Sequence, residues 1–163
     1  MPIHIRPATS ADRPAIWAIL QPVFAAGETY TIPRDITEAQ ALGYWFQDGH
    51  QVFVAEHSGR VVGTYFLQAN QKGGGSHVAN CGYVTATDAI GRGVARAMCL
   101  DSLDRARAAG FRAMQFNFVV STNERAVRLW KNLGFAIVGT LPRAFQHPTH
   151  GYVDALVMYR SLV

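Results

Sequence analysis

Two neutral amides and a glycine turn are the chemistry-bearing features of this chain. Asn80 lies in the apolar run Val78-Ala79-Asn80-Cys81-Gly82, and Asn117 in Phe116-Asn117-Phe118. Leaving an amide unpaired in the interior costs about 1–3 kcal/mol, so each must find a partner or serve a ligand. Between them, Gly91-Arg92-Gly93-Val94-Ala95 joins a strand to a helix. Glycines there let the backbone take positive φ and approach a ligand closely. The free N–H groups and the dipole of the following helix attract a pyrophosphate. A second signal follows in Asn123-x-x-Ala126-x-x-Leu129-Trp130-x-x-x-Gly134-Phe135. Arg96 stands where the dinucleotide fingerprint needs its third glycine, and no Walker A motif is present. The two segments together point to a nucleotide-tailed cofactor.

Other reactive side chains carry weaker signals. His77, His147 and His150 have the chemistry of a base. His147-x-x-His150 has no third ligand in reach, so no metal site is expected. Cys81 needs a nearby base to be a nucleophile, and a small buried residue is the simpler reading.

The elements that must position these residues follow from pattern. Residues 3–6 read as a strand. Thr9 or Ser10 caps a helix to about Ala26, with Pro14 in its first turn and Pro22 expected to bend or shorten it. A loop over Gly27–Pro33 leads to a helix from Thr37 to about Asp48. Gln51–Glu56 and Arg60–Ala69 form a hairpin around Ser58-Gly59. Ser76–Thr85 is the strand before the glycine turn, and the helix beyond it ends at Gly110. Arg112–Val120 reads as a strand buried on both faces. Ser121 and Glu124 suit a capping box for the next helix, which ends at Gly134. Phe135–Leu141 and Tyr152–Tyr159 are two closing strands, with a loop between them. The order implies a mixed α/β sheet covered by helices.

Bulk composition narrows the function classes. A chain of 163 residues with 49% hydrophobic and 16% charged content suits one domain, residues 1–163, with a substantial core. The N-terminus has no leader pattern and no apolar run is long enough to span a bilayer, so no membrane partner is expected. Two cysteines inside expected elements, Cys81 and Cys99, suit free thiols in a cytoplasmic protein. The net charge of +4 favours an anionic ligand, but the cations are scattered and imply no nucleic acid.

Ile90-Gly91-Arg92-Gly93-Val94-Ala95, read with Asn123 to Phe135, resembles the GNAT superfamily of N-acetyltransferases. The resemblance covers essentially the whole element order. It implies a mixed, mostly antiparallel central sheet splayed between strands 4 and 5, with helices on both faces. It implies acetyl-CoA as co-substrate and direct attack by an amine within a ternary complex. Gly91, Arg92, Gly93, Val94, Ala95 and Arg96 would hold the pyrophosphate, and Asn123 the cofactor side. The strand edge at Tyr83, Val84 and Thr85 would bond the pantetheine arm and polarise the thioester carbonyl. Asn80 and Asn117 would act in catalysis and acceptor binding, a pattern similar to fungal acetyltransferases of proline analogues such as azetidine-2-carboxylate. Glu28, Thr29 and Tyr30 lie in a loop that covers the acceptor in such proteins. Two positions depart from the family pattern. Ile90 replaces a Gln or Arg, passing its grip on phosphate to Arg92 or Arg96. Trp130 replaces a Tyr that supplies an acid, a role no indole can fill. A small-molecule amine is the expected acceptor, and a homodimer is compatible with the sequence. Acetylation of peptide or protein N-termini, and a non-catalytic acyl-CoA-binding module, are the alternatives.

Overall fold

The computed structural model describes residues 2–163. One seven-stranded sheet organises them, in the order β1-β2-β3-β4-β5-β7-β6. Its strands are β1 (His4–Pro7), β2 (Gln51–His57), β3 (Arg60–Ala69), β4 (Val78–Thr85), β5 (Ala113–Val120), β6 (Ala136–His147) and β7 (Gly151–Ser161). The helices are α1 (Arg13–Ala26), α2 (Glu38–Trp45), α3 (Val94–Ala108) and α4 (Glu124–Asn132). All strand pairs are antiparallel except β4 with β5. That parallel pair holds only at Val78↔Ala113 and Ala79↔Met114, after which the strands part.

Alternation along β3 assigns the two covered faces. Tyr65 bonds Asp101 of α3, and a Cβ on Gly63 would collide with Val94 and Met98 of the same helix. On the opposite face, Thr64 accepts a hydrogen bond from the indole of Trp45 in α2, 3.1 Å, and Phe66 meets that ring edge-on. Helices therefore cover both faces. The core runs from Leu20 and Phe24 of α1 through β2–β4 to Met98 and Leu103 of α3.

Several local expectations are corrected. Helix α1 carries Pro22 without being shortened, reaching Ala26 before Gly27 closes it at φ +67°. Helix α2 ends at Trp45, not Asp48, and Gly49 follows at φ +91°. No capping box forms at Ser121 and Glu124; α4 starts without a side-chain cap, and Asn123 is its N-cap residue. The loop foreseen between the last two strands is mostly strand, because β6 continues to His147. Strand β5 is buried along most of its length but exposed at Asn117.

Candidate active site

A cleft of about 760 Å³ opens where β4 and β5 part, and its walls bring the sequence signals together. It is lined by Asn80 and Tyr83–Thr85 of β4, and by Asn117 of β5. Gly91, Gly93, Val94, Ala95, Arg96 and Asn123 form its other end, and Tyr30 closes it from the α1–α2 loop. Glu28 and Arg92 do not line it. Gly27 ends α1 in a left-handed conformation; beyond it Glu28 is exposed and Thr29–Thr31 line the cleft. Arg92 sits at the exposed tip between two glycines, each at φ +83°.

The free edge of β4 is set by register. Ala86 donates its N–H to Val62, and Asn70 donates to the carbonyl of Val78. Even-numbered residues of β4 therefore turn their peptide groups to β3, while those of Cys81, Tyr83 and Thr85 face the gap. Val84, expected to offer backbone groups, turns them to β3 and contributes a buried side chain.

Asn80 has both ends of its amide engaged. Its Nδ2 donates to the Gln115 carbonyl at 2.9 Å, and its Oδ1 accepts from Gln68 Nε2 at 3.1 Å. The amide thus supplies one more rung where the backbone ladder between β4 and β5 stops. In this arrangement it acts as a strut between the strands, and it also lines the cleft. Asn117 sits in a bulge: Phe116 pairs with Met158 but Val119 with Leu156, one extra residue on β5. A bulge breaks the alternation and re-aims a side chain, and Phe116, Asn117 and Phe118 all line the cleft. Asn117 Nδ2 reaches Asn70 Oδ1 at 2.6 Å, and its Oδ1 accepts from Gln115 Nε2 at 2.9 Å.

The opposite end suits a diphosphate. Left-handed φ at Gly91 and Gly93 excludes side chains and bares the turn before α3. A Cβ on Gly93 would meet nothing within 4 Å, leaving open space over the turn. Two cations line this end, Arg96 and Arg125, and neither forms an ion pair among the described residues. Arg125 escaped the motif reading. Its signal is a cation in the first turn of a helix, where the macrodipole disfavours positive charge. Tyr44, Phe66 and Gln68, also missed, reach the cleft from α2 and β3.

Trp130 packs against Tyr83 (centroids 5.2 Å apart) and Phe116 (5.0 Å), as a core residue should. Burial pushes the Cys81 thiol up to about 12, so it stays protonated and is no nucleophile at neutral pH. His77, His147 and His150 lie outside the cleft lining. His147 Nδ1 instead accepts the backbone N–H groups of Thr149 and His150, closing the β6–β7 turn. Among the described residues lining the cleft there is no carboxylate and no imidazole.

The chain belongs to the acetyltransferase (GNAT) family, whose model matches residues 14–135, and it is an acyltransferase. It is similar to the N-acetyltransferase aca1 of Schizosaccharomyces pombe, 27% identical over 148 residues, covering 80% of this chain and 71% of that protein. A GCN5-related N-acetyltransferase from Kribbella flavida superposes with a TM-score of 0.93 at 44% identity, covering 98% of this chain and 97% of the other. A ribosomal-protein-alanine N-acetyltransferase from Brucella melitensis follows at TM-score 0.84 and 26% identity, covering 97% and 99%.

Proposed function

We propose that this protein moves an acetyl group from acetyl-CoA to the amine of a small molecule, with amino and imino acids as the leading acceptor class. The observation that carries the reading is the parting of β4 and β5, which joins the glycine turn to Asn117 in one cleft. Acetyl-CoA supplies the thioester that the amine attacks. Gly91, Gly93, Val94, Ala95 and Arg96 hold its diphosphate with Arg125, and Asn123 faces the same end. The gap-facing peptide groups of Tyr83 and Thr85 bond the pantetheine arm and aim an N–H at the thioester carbonyl, the kind of electrostatic stabilisation that dominates acyl transfer. Asn117 orients the acceptor, and both substrates are held together. No step uses a metal.

Residues 1–163 act as one unit in this reading. The free, buried thiols of Cys81 and Cys99 fit the cytoplasm, and no helix among the described residues is long and apolar enough to cross a membrane. Exposed Ile137, Val138 and Leu141 on edge strand β6 offer a surface for a homodimer. A second reading, acetylation of a protein N-terminus, draws support from the Brucella relative's name. Peptides with free N-termini, run beside amino and imino acids, separate the two readings by which class turns over.

Asn117→Ala tests the site. It should lower kcat/KM for the acceptor at least about 10-fold, the loss of one ligand hydrogen bond worth roughly 1.5 kcal/mol, while acetyl-CoA affinity persists. Unchanged turnover on the true acceptor removes Asn117 from the site.

A further inference from the structure

We propose that Tyr30 is the group that receives the N–H of the acceptor amine and so aims the nitrogen lone pair at the acyl carbon. This rests on the amine-acetylating reading above. The Tyr30 hydroxyl donates to the backbone carbonyl of Tyr83 at 3.0 Å. A carbonyl only accepts, so the direction of that bond is fixed by chemistry. The phenol therefore offers lone pairs, never its proton, to anything else in the cleft. The Tyr83 carbonyl lies on the gap-facing edge of β4, four residues past the last β4–β5 pair at Ala79↔Met114. The hydroxyl thus sits where the acyl group and the amine must meet.

Gly82 builds the notch that admits it. A Cβ at this position would stand 3.1 Å from the Tyr30 hydroxyl and 2.5 Å from the ring of Phe66. The φ of Gly82 is not positive, so its missing side chain serves space and not backbone freedom. Other side-chain acceptors nearby already serve partners: Asn80 Oδ1 accepts from Gln68 and Asn117 Oδ1 from Gln115, each with one lone pair left. No carboxylate or imidazole lines the cleft among the described residues. Desolvation holds the Tyr30 proton well above the usual phenol range, so Tyr30 orients the amine without deprotonating it. The same apolar surroundings disfavour an ammonium, which also lacks a lone pair, so the acceptor enters as its free base. As the N–C bond forms, the C–S bond breaks and sulfur takes its electron pair. The proton shed by nitrogen ends on that sulfur, directly or through water, and Tyr30 keeps its own.

The test compares wild type, Tyr30→Phe and Gly82→Ala. Acetyl-CoA affinity is read by calorimetry, acceptor affinity on the complex with coenzyme A, thermal midpoint by scanning, and kcat/KM on an amine the wild type turns over. Tyr30→Phe should cut kcat/KM by roughly 10²-fold, the scale of a misoriented reactant, and weaken acceptor binding. Acetyl-CoA affinity should hold, and stability should fall only by about 0.5–1.5 kcal/mol, the loss of the Tyr30–Tyr83 hydrogen bond, since the Tyr83 carbonyl faces the cleft. Gly82→Ala should also lower kcat/KM, with a lower thermal midpoint, because its Cβ displaces the Phe66 ring as well as the Tyr30 hydroxyl. Tyr30→Phe should also keep the shape of the pH profile, since the limb belongs to the amine. Full kcat/KM in Tyr30→Phe, or acetyl-CoA affinity falling in parallel, overturns the role. Wild type that turns over no amine overturns the acetyl-transfer reading itself, and this role with it.

Discussion

Replacing Asn80 by Asp asks whether the amide clamps the strands or touches the acceptor. The substitution keeps shape and keeps an oxygen for Gln68 to bond. It removes the one donor that reaches the Gln115 carbonyl at 2.9 Å. Losing that bond leaves the part-buried carbonyl unsatisfied, which costs about 1–3 kcal/mol. A destabilisation of roughly 1–3 kcal/mol at pH 7 follows, a fall in thermal midpoint on the order of 2–12 °C for a chain of this size. The sign with pH is also fixed. The ionised carboxyl faces a carbonyl with no proton to share, so its folded pKa rises above the unfolded value near about 3.9. The penalty is absent below that value, grows through the raised folded pKa and is complete above it. A protonated carboxyl donates to Gln115 and restores the rung. Urea unfolding of variant and wild type, from about pH 4 to pH 8, reads this directly. A variant of undiminished stability that has lost turnover would refute the strut and return Asn80 to the acceptor.

Arg125→Ala should separate binding from stability. Acetyl-CoA affinity should fall about 10-fold or more, by loss of a charge-assisted contact worth roughly 1.5–3 kcal/mol, with a smaller effect at high salt. Unfolding free energy should hold or rise by about 0.3 kcal/mol, because a cation leaves a helix N-terminus. Calorimetry in two salt concentrations, beside urea unfolding, checks both signs. Asp12→Asn should shift acid stability. Hydrogen bonding to Arg6 lowers the Asp12 pKa to about 2, so its contribution is present above the unfolded value near about 3.9 and is lost as pH falls toward 2. The variant should lose about 1–2 kcal/mol at pH 7 and only about 0.4 kcal/mol at pH 2, where Asp12 is still half ionised.

The order of elements was legible because each carries its own local pattern. What escaped was made by pairing. Strand β6 reads as ending at Leu141; in the fold it continues, with Pro142 inside a register shift between Leu141 and Phe145 and Arg143 at φ +51°. An edge strand tolerates such a break. Asn117 was visible as a polar residue among aromatics, but the bulge that re-aims it exists only against β7. The two bonds of Asn80 join residues distant in sequence, Gln68 and Gln115, so its use as a strut leaves no local trace. Glu28 and Tyr30 are equal candidates on one loop; only Tyr30 lines the cleft, held by its bond to the distant Tyr83 carbonyl. Gly91 and Gly93 were legible because positive φ there is a property of residue type as much as of fold.

The central claim is that this cleft joins acetyl-CoA to a small amine. The most direct measurement follows thiol release from acetyl-CoA over a panel of amino acids, cyclic imino acids, polyamines and N-terminal peptides, with acetylated product identified by mass. The account predicts thiol released in equal amount to N-acetylated product for at least one amino or imino acid. Acetyl-CoA that binds but yields no thiol above the protein-free rate with any amine would contradict it.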